Sequence, residues 1–181
     1  MTEYLRLAWA TGIVLAPGWL LARALGQRGA VPALAWGFAA IFAAWAVTFA
    51  VHGSSRLATG LLAAIGVAAL VPAWRRGRPR LGVGMEAAVL VGGIVLGMLL
   101  WHVAGVLGGD GLFHLARVRK LVELGDLHLT TIGEFEDGGL HPGYAFPLWH
   151  GFLAFVTELS GLDPGVVVQH EASLLVPLAC L

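Results

Sequence analysis

The sequence predicts an all-α protein: a polytopic transmembrane helix bundle with an amphipathic surface helix on its extracytoplasmic side. Three observations predict it. Hydrophobic residues make up 58% of the 181 residues and charged residues only 12%, about half the charged share of a soluble domain. Mean hydropathy is +0.82. Apolar runs close to the roughly 20 residues that cross a bilayer core recur along the chain, separated by short polar breaks.

The elements follow in order. Residues 5–25, 30–52, 57–74 and 81–107 are apolar spans that form a four-helix transmembrane region over 1–107. The first span is too long for a secretory h-region and Glu3 spoils a basic n-region, so it reads as a retained helix. Pro17 and Gly18 within it predict a kink, which membrane helices tolerate when neighbours satisfy the freed carbonyl. Gly and Ala recur in GLLAAIGVAA and VGGIVLGM, and small residues let helices approach closely. Residues 108–144 form a loop that begins with the amphipathic helix. Two further membrane helices, 145–159 and 166–181, flank SGLDPG; the first is short enough to be tilted or partly interfacial. The chain ends within an apolar run, LLVPLACL, so the last helix reads as truncated and the whole as the amino-terminal part of something longer.

Basic residues orient the bundle. Arg75, Arg76, Arg78 and Arg80 mark the third connector as cytoplasmic. Alternation places Arg23 and Arg28 on the same side, and puts HGSSR and the 108–144 loop outside a cell membrane. A net charge of zero gives no sign of a nucleic-acid partner or a polybasic anchor and leaves membrane lipids as the expected surroundings. The single cysteine, Cys180, excludes an internal disulfide framework and reads as a small apolar residue.

Chemistry concentrates where the apolar character stops, at GGDGLFHLARVRKLVELGD. On a helix, Asp110, His114 and Arg117 stand at i, i+4 and i+7 and share one face. Arg119 and Glu123 form a second polar stripe, with Leu115, Val118 and Val122 as an apolar wedge that would dip into the membrane surface. Asp110 at the helix start reads either as an N-cap, with Arg117 and Lys120 on lipid phosphates, or as a general base or metal ligand beside a cation and an imidazole. Further on, Glu134 and Glu136 are acids at a spacing that can hold Mg²⁺ or Mn²⁺, or a solvated acidic turn. His141, Tyr144 and His150 follow. His150 lies one turn into the fifth apolar segment and should face a cavity or a partner helix, since an imidazole facing lipid is costly. His102, Gln169, His170 and Glu171 are expected to make interhelical hydrogen bonds.

The run LLWHVAGVLGGDGLFHLARVRKL, then ELGDL, then HPGYAFPLWHGFLAFVTELSGLDPGVVV resembles the amino-terminal part of a GT-C-type polytopic membrane glycosyltransferase. The resemblance covers roughly residues 95–181. In that superfamily the first large extracytoplasmic loop carries a catalytic or metal-binding acid just after a membrane helix, and Asp110 is the matching residue. It implies a polyprenyl-phosphate sugar donor and, for some members, a divalent metal. His114, Arg117, His141, Tyr144 and His150 would then contact substrate. Two departures stand out. Three additional helices precede the one that carries the acid, and the later loops that would supply a second acid and the acceptor site are absent. Two other readings remain: a non-catalytic membrane scaffold or assembly subunit, and a transporter whose intramembrane His and Glu line a pathway, although no repeat of the kind transporters carry is visible.

Overall fold

The computed structural model describes residues 2–76, 85–123, 127 and 148–179. Among them it is all-helical: α1 (Thr2–Ala24), α2 (Ala30–Ala50), α3 (Ser55–Arg75), α4 (Met85–Val103), α5 (Asp110–Glu123), α6 (Leu148–Ser160) and α7 (Pro164–Ala179). Helices α1, α2 and α3 are long and apolar enough to cross a membrane. Helix α4 has 19 residues, about 28 Å at 1.5 Å per residue. Helices α6 and α7 have 13 and 16 residues. Each alone falls short of a core of about 30 Å, and the two meet at a bend of 109°. Together they form a broken span or a re-entrant pair.

Local chemistry sets the ends. Helix α1 has Glu3 in its first turn and Arg23 in its last, both favourable to the helix dipole. It closes with Gln27 N–H on the Ala22 carbonyl (2.8 Å) and Gly26 N–H on that of Arg23 (2.9 Å). Gly26 at φ 78° occupies the left-handed position that this terminating motif requires. Helix α2 ends in the same motif, Gly53 N–H to Thr48 O and His52 N–H to Phe49 O, but there His52 takes the left-handed position at φ 53°. At the other junction, Asp163 Oδ1 accepts from Gly165 N–H at 2.7 Å, and Pro164 opens α7, where its missing N–H costs nothing. The dipeptide Asp-Pro in SGLDPG is thus a helix start.

Helix α1 packs against α2, α3, α6 and α7; α6 packs against α1, α2, α5 and α7; α4 lies chiefly on α7. The small residues sit where backbones meet. A Cβ on Gly18 would strike the backbone of Ala33 and Gly37 in α2, one on Gly97 the carbonyl of Ser173 in α7, and one on Gly151 the indole of Trp45. Pro17, expected to kink α1, lies inside the helix and its ring fills the space beside Gly66 of α3. The core centres on α6, whose residues from His150 to Thr157 are all buried. Trp45 stacks on Phe155 at 5.0 Å and Phe38 meets Phe152 edge-on at 5.5 Å. Outside, Trp9, Val67, Trp74, Leu99 and Val103 are more than half exposed. That apolar exterior suits lipid rather than water.

Polar contacts sort the helix ends into two groups. Arg6 donates to the carbonyls of Ser160 (3.0 and 2.6 Å) and Gly161 (2.9 Å). Arg119 lies 3.7 Å from Asp163, and Leu127 N–H donates to Gly53 O at 2.8 Å. The start of α1, the α2–α3 turn, the chain just beyond α5 and the α6–α7 turn therefore share one end. At the other, Arg23 donates to Ala73 O at 3.5 Å, and Gly26 lies beside the Arg76 guanidinium. This is the relative arrangement that helix alternation requires.

Candidate functional site

Helix α5 starts at Asp110, as the sequence predicts, after Gly109 turns the chain at φ 52°. Its faces differ from expectation. Of the expected wedge, Val118 is fully buried, but Leu115 and Val122 are only half-buried. Arg117, read as part of a polar face, is 3% exposed. The buried stripe is Arg117, Val118 and Leu121, which with His114 follows the i, i+3, i+4, i+7 spacing of one helix face. The physical reason is that α5 packs on α6 and α7, so the face assigned to lipid is rotated and covered by protein.

That packing brings two expected site residues together from 36 positions apart. His114 Nδ1 lies 2.8 Å from His150 Nε2, with the rings nearly parallel at 28° and centroids 5.0 Å apart. One ring donates its N–H and the other accepts, so the pair holds a defined tautomer whenever both are neutral. His150 thus faces a partner helix, as its cost in lipid demands. Phe113, which the sequence reading passes over, closes the cluster. Its ring lies edge-on to His114 (5.3 Å) and His150 (6.1 Å), and the Arg117 guanidinium carbon stands 5.7 Å over it. An aromatic beside two polar residues was the available signal, but on an oily helix it reads as ordinary packing.

Asp110 is exposed. It is the first residue of α5 and, among the described residues, its carboxylate makes no hydrogen bond, so a side-chain cap is not what places it. What remains structurally is the favourable charge at the helix N-terminus. His141, Tyr144, Glu134 and Glu136 lie outside the described residues. Among those described, no group of three His, Cys, Asp or Glu side chains could hold a metal ion. The His114–His150 pair offers two nitrogens and no carboxylate, a poor match for the oxygen-rich shell of Mg²⁺ or Mn²⁺.

The interhelical role expected of the other intramembrane polar groups holds for two of them. Gln169 donates to the carbonyls of Ala104 (3.4 Å) and Gly105 (2.5 Å), pinning the exit of α4 to α7. Glu171 pairs with Thr11 of α1 at 2.7 Å. His102 instead bonds within its own helix, to Met98 O at 2.8 Å. His170 stacks on Trp101 at 3.9 Å.

No protein-family model, curated protein or solved structure matches the chain. The functional reading therefore rests on the site itself and on the resemblance read in the sequence.

Proposed function

We propose that the chain forms the acid-bearing part of a GT-C-type integral membrane glycosyltransferase that moves a sugar from a polyprenyl-phosphate donor to an acceptor hydroxyl. One observation supports the reading above the others: α5 presents at its start an exposed acid that is unbonded among the described residues, and a buried cation, Arg117, two turns later, beside the His114–His150 pair. Two turns of helix span about 10 Å, room for a sugar between the two charges.

In this reading Asp110 takes the proton from the acceptor hydroxyl as its oxygen attacks the anomeric carbon. The bond from that carbon to the donor phosphate breaks, and the electron pair leaves with the phosphate. Arg117 stabilises the charge that collects there; its planar fork matches phosphate oxygens. Phe113 holds the Arg117 guanidinium from one face. His114 and His150 orient substrate through the ring nitrogens their mutual hydrogen bond leaves over, and His141 and Tyr144 supply further contacts. The Glu134–Glu136 pair is the proposed seat of a divalent metal, and no step here passes through one. Purified full-length gene product in liposomes, given a polyprenyl-phosphate sugar and an acceptor, is expected to release polyprenyl phosphate with sugar transfer. Donor left intact would overturn the proposal and leave a scaffold.

The same reading puts α5 outside a cell membrane and the Arg75–Arg76 end in the cytoplasm. The checking experiment is single-cysteine labelling in a Cys180→Ala background. Arg56 and Glu123 are exposed at one end and Gln27 at the other. Arg56→Cys and Glu123→Cys should react with a membrane-impermeant thiol reagent in intact cells, and Gln27→Cys only after permeabilisation. The reverse pattern would put the acid on the wrong side for an extracytoplasmic donor.

A further inference from the structure

We infer that Glu171 is a proton-binding site: in the closed bundle its side chain is a carboxylic acid, and its proton bridges α7 to α1. Counting hydrogens leads there. Thr11 Oγ1 stands 2.9 Å from the Leu7 carbonyl oxygen and 2.7 Å from Glu171 Oε1. The carbonyl can only accept, and the hydroxyl owns one hydrogen. One hydroxyl hydrogen could serve both acceptors only as a shared three-centre bond; a hydrogen on Glu171 gives each of the two contacts its own. The result is a relay in which the Glu171 O–H donates to Thr11 Oγ1 and the Thr11 O–H donates to Leu7 O.

The surroundings favour the same state. Glu171 is 0% exposed, and its Oε2 is buried with no hydrogen-bond partner. A carboxylate would leave half its charge on that bare oxygen in an apolar interior, and an uncompensated buried charge is strongly disfavoured. A neutral acid leaves only a carbonyl lacking one hydrogen bond. Among the described residues, no cation pairs with it. Helix α7 packs on α1, α4, α5 and α6, and the described charged or titratable side chains there are otherwise engaged or exposed. On α1, Arg6 is held by the Ser160 and Gly161 carbonyls, Tyr4 lies edge-on to Trp101, and Glu3 is exposed. On α4, His102 bonds Met98 O. On α5, Arg119 pairs with Asp163, His114 is bonded to His150 of α6, Arg117 lies over Phe113, Asp110 and Glu123 are exposed, and Lys120 is half-buried with an interaction of its own. On α6, Glu158 accepts from Thr59. On α7 itself, His170 stacks on Trp101. Among the described residues, the hydrogen-bond partner of Glu171 is Thr11.

The proton can leave only when water reaches the buried carboxyl, so its release requires the packing around Glu171 to open. Infrared spectra of the purified protein in nanodiscs at neutral pH test this. The wild type should show a carboxylic-acid C=O band that Glu171→Gln lacks, and the Gln variant should fold, because its amide N–H replaces the acid O–H toward Thr11. Where Gln does not fold, an apolar carbodiimide decides, since it attacks protonated carboxyls in apolar surroundings. Mass analysis should find the α7 peptide of the wild type labelled, and about tenfold faster in Thr11→Val, in which the relay is cut. Absence of a Glu171-dependent acid band, or labelling of α7 by a water-soluble carbodiimide alone, would overturn the inference.

Discussion

Asp110→Asn is expected to lower sugar transfer by roughly 100-fold or more while leaving expression and folding unchanged. The two halves of that expectation come from different observations. Asp110 is exposed, and among the described residues its carboxylate is bonded to nothing. Replacing it by the isosteric amide leaves no buried group unpaired. The structural loss is limited to the favourable charge at the helix start, about 0.3–1 kcal/mol. Asn cannot accept the acceptor's proton, so a general base at this position is lost outright. Transfer and unfolding temperature are to be measured on the same preparations. Near-normal transfer by a well-folded variant would take Asp110 out of the chemistry and leave α5 as a structural helix.

Trp45→Ala is expected to be the most damaging single change to the fold, at about 3 kcal/mol or more. Trp45 is fully buried. It stacks on Phe155 at 5.0 Å, lies 5.9 Å from Phe49, and meets Gly151 where no side chain would fit. Within a membrane the lost transfer from water contributes little. The cost is the cavity and the dispersion contacts around it. Trp45→Phe should cost far less, within about 1.5 kcal/mol, because the indole Nε1 makes no hydrogen bond that the change would break. Since Phe155 and His150 share α6, the Ala variant should also loosen the His114–His150 pair and reduce transfer even in the fraction that stays folded. Thermal unfolding in detergent separates the two variants. Equal stability for Ala and wild type would mean that α6 is not held by α2 in this way.

What could be read in the sequence was whatever depends on a short window. Apolar runs of bilayer length announce α1 to α3, and GGD announces the start of α5. Periodicity also places Asp110, His114 and Arg117 on one face. It does not say which face a neighbour will cover, so Arg117 reads as a surface cation although it is 3% exposed. Pairings across the chain leave no local signal. His114 meets His150 across 36 residues and Thr11 meets Glu171 across 160; both depend on how α5 and α7 dock, which no window of sequence contains. Phe113 was missed for a related reason: beside leucines and valines, an aromatic has no distinguishing mark until a guanidinium is seen above it.

The central claim is that α5 holds the phosphate of a lipid-linked sugar through Arg117, and the lipid itself tests it most directly. Lipid is to be extracted from purified wild-type full-length gene product and from Arg117→Ala, then quantified by mass spectrometry against bulk membrane lipid. The account predicts polyprenyl phosphate enriched well above its bulk ratio in the wild type, and a loss of that enrichment of roughly tenfold or more in the variant, the scale of a charge-assisted contact to phosphate. Polyprenyl phosphate at the bulk ratio in both proteins would contradict it.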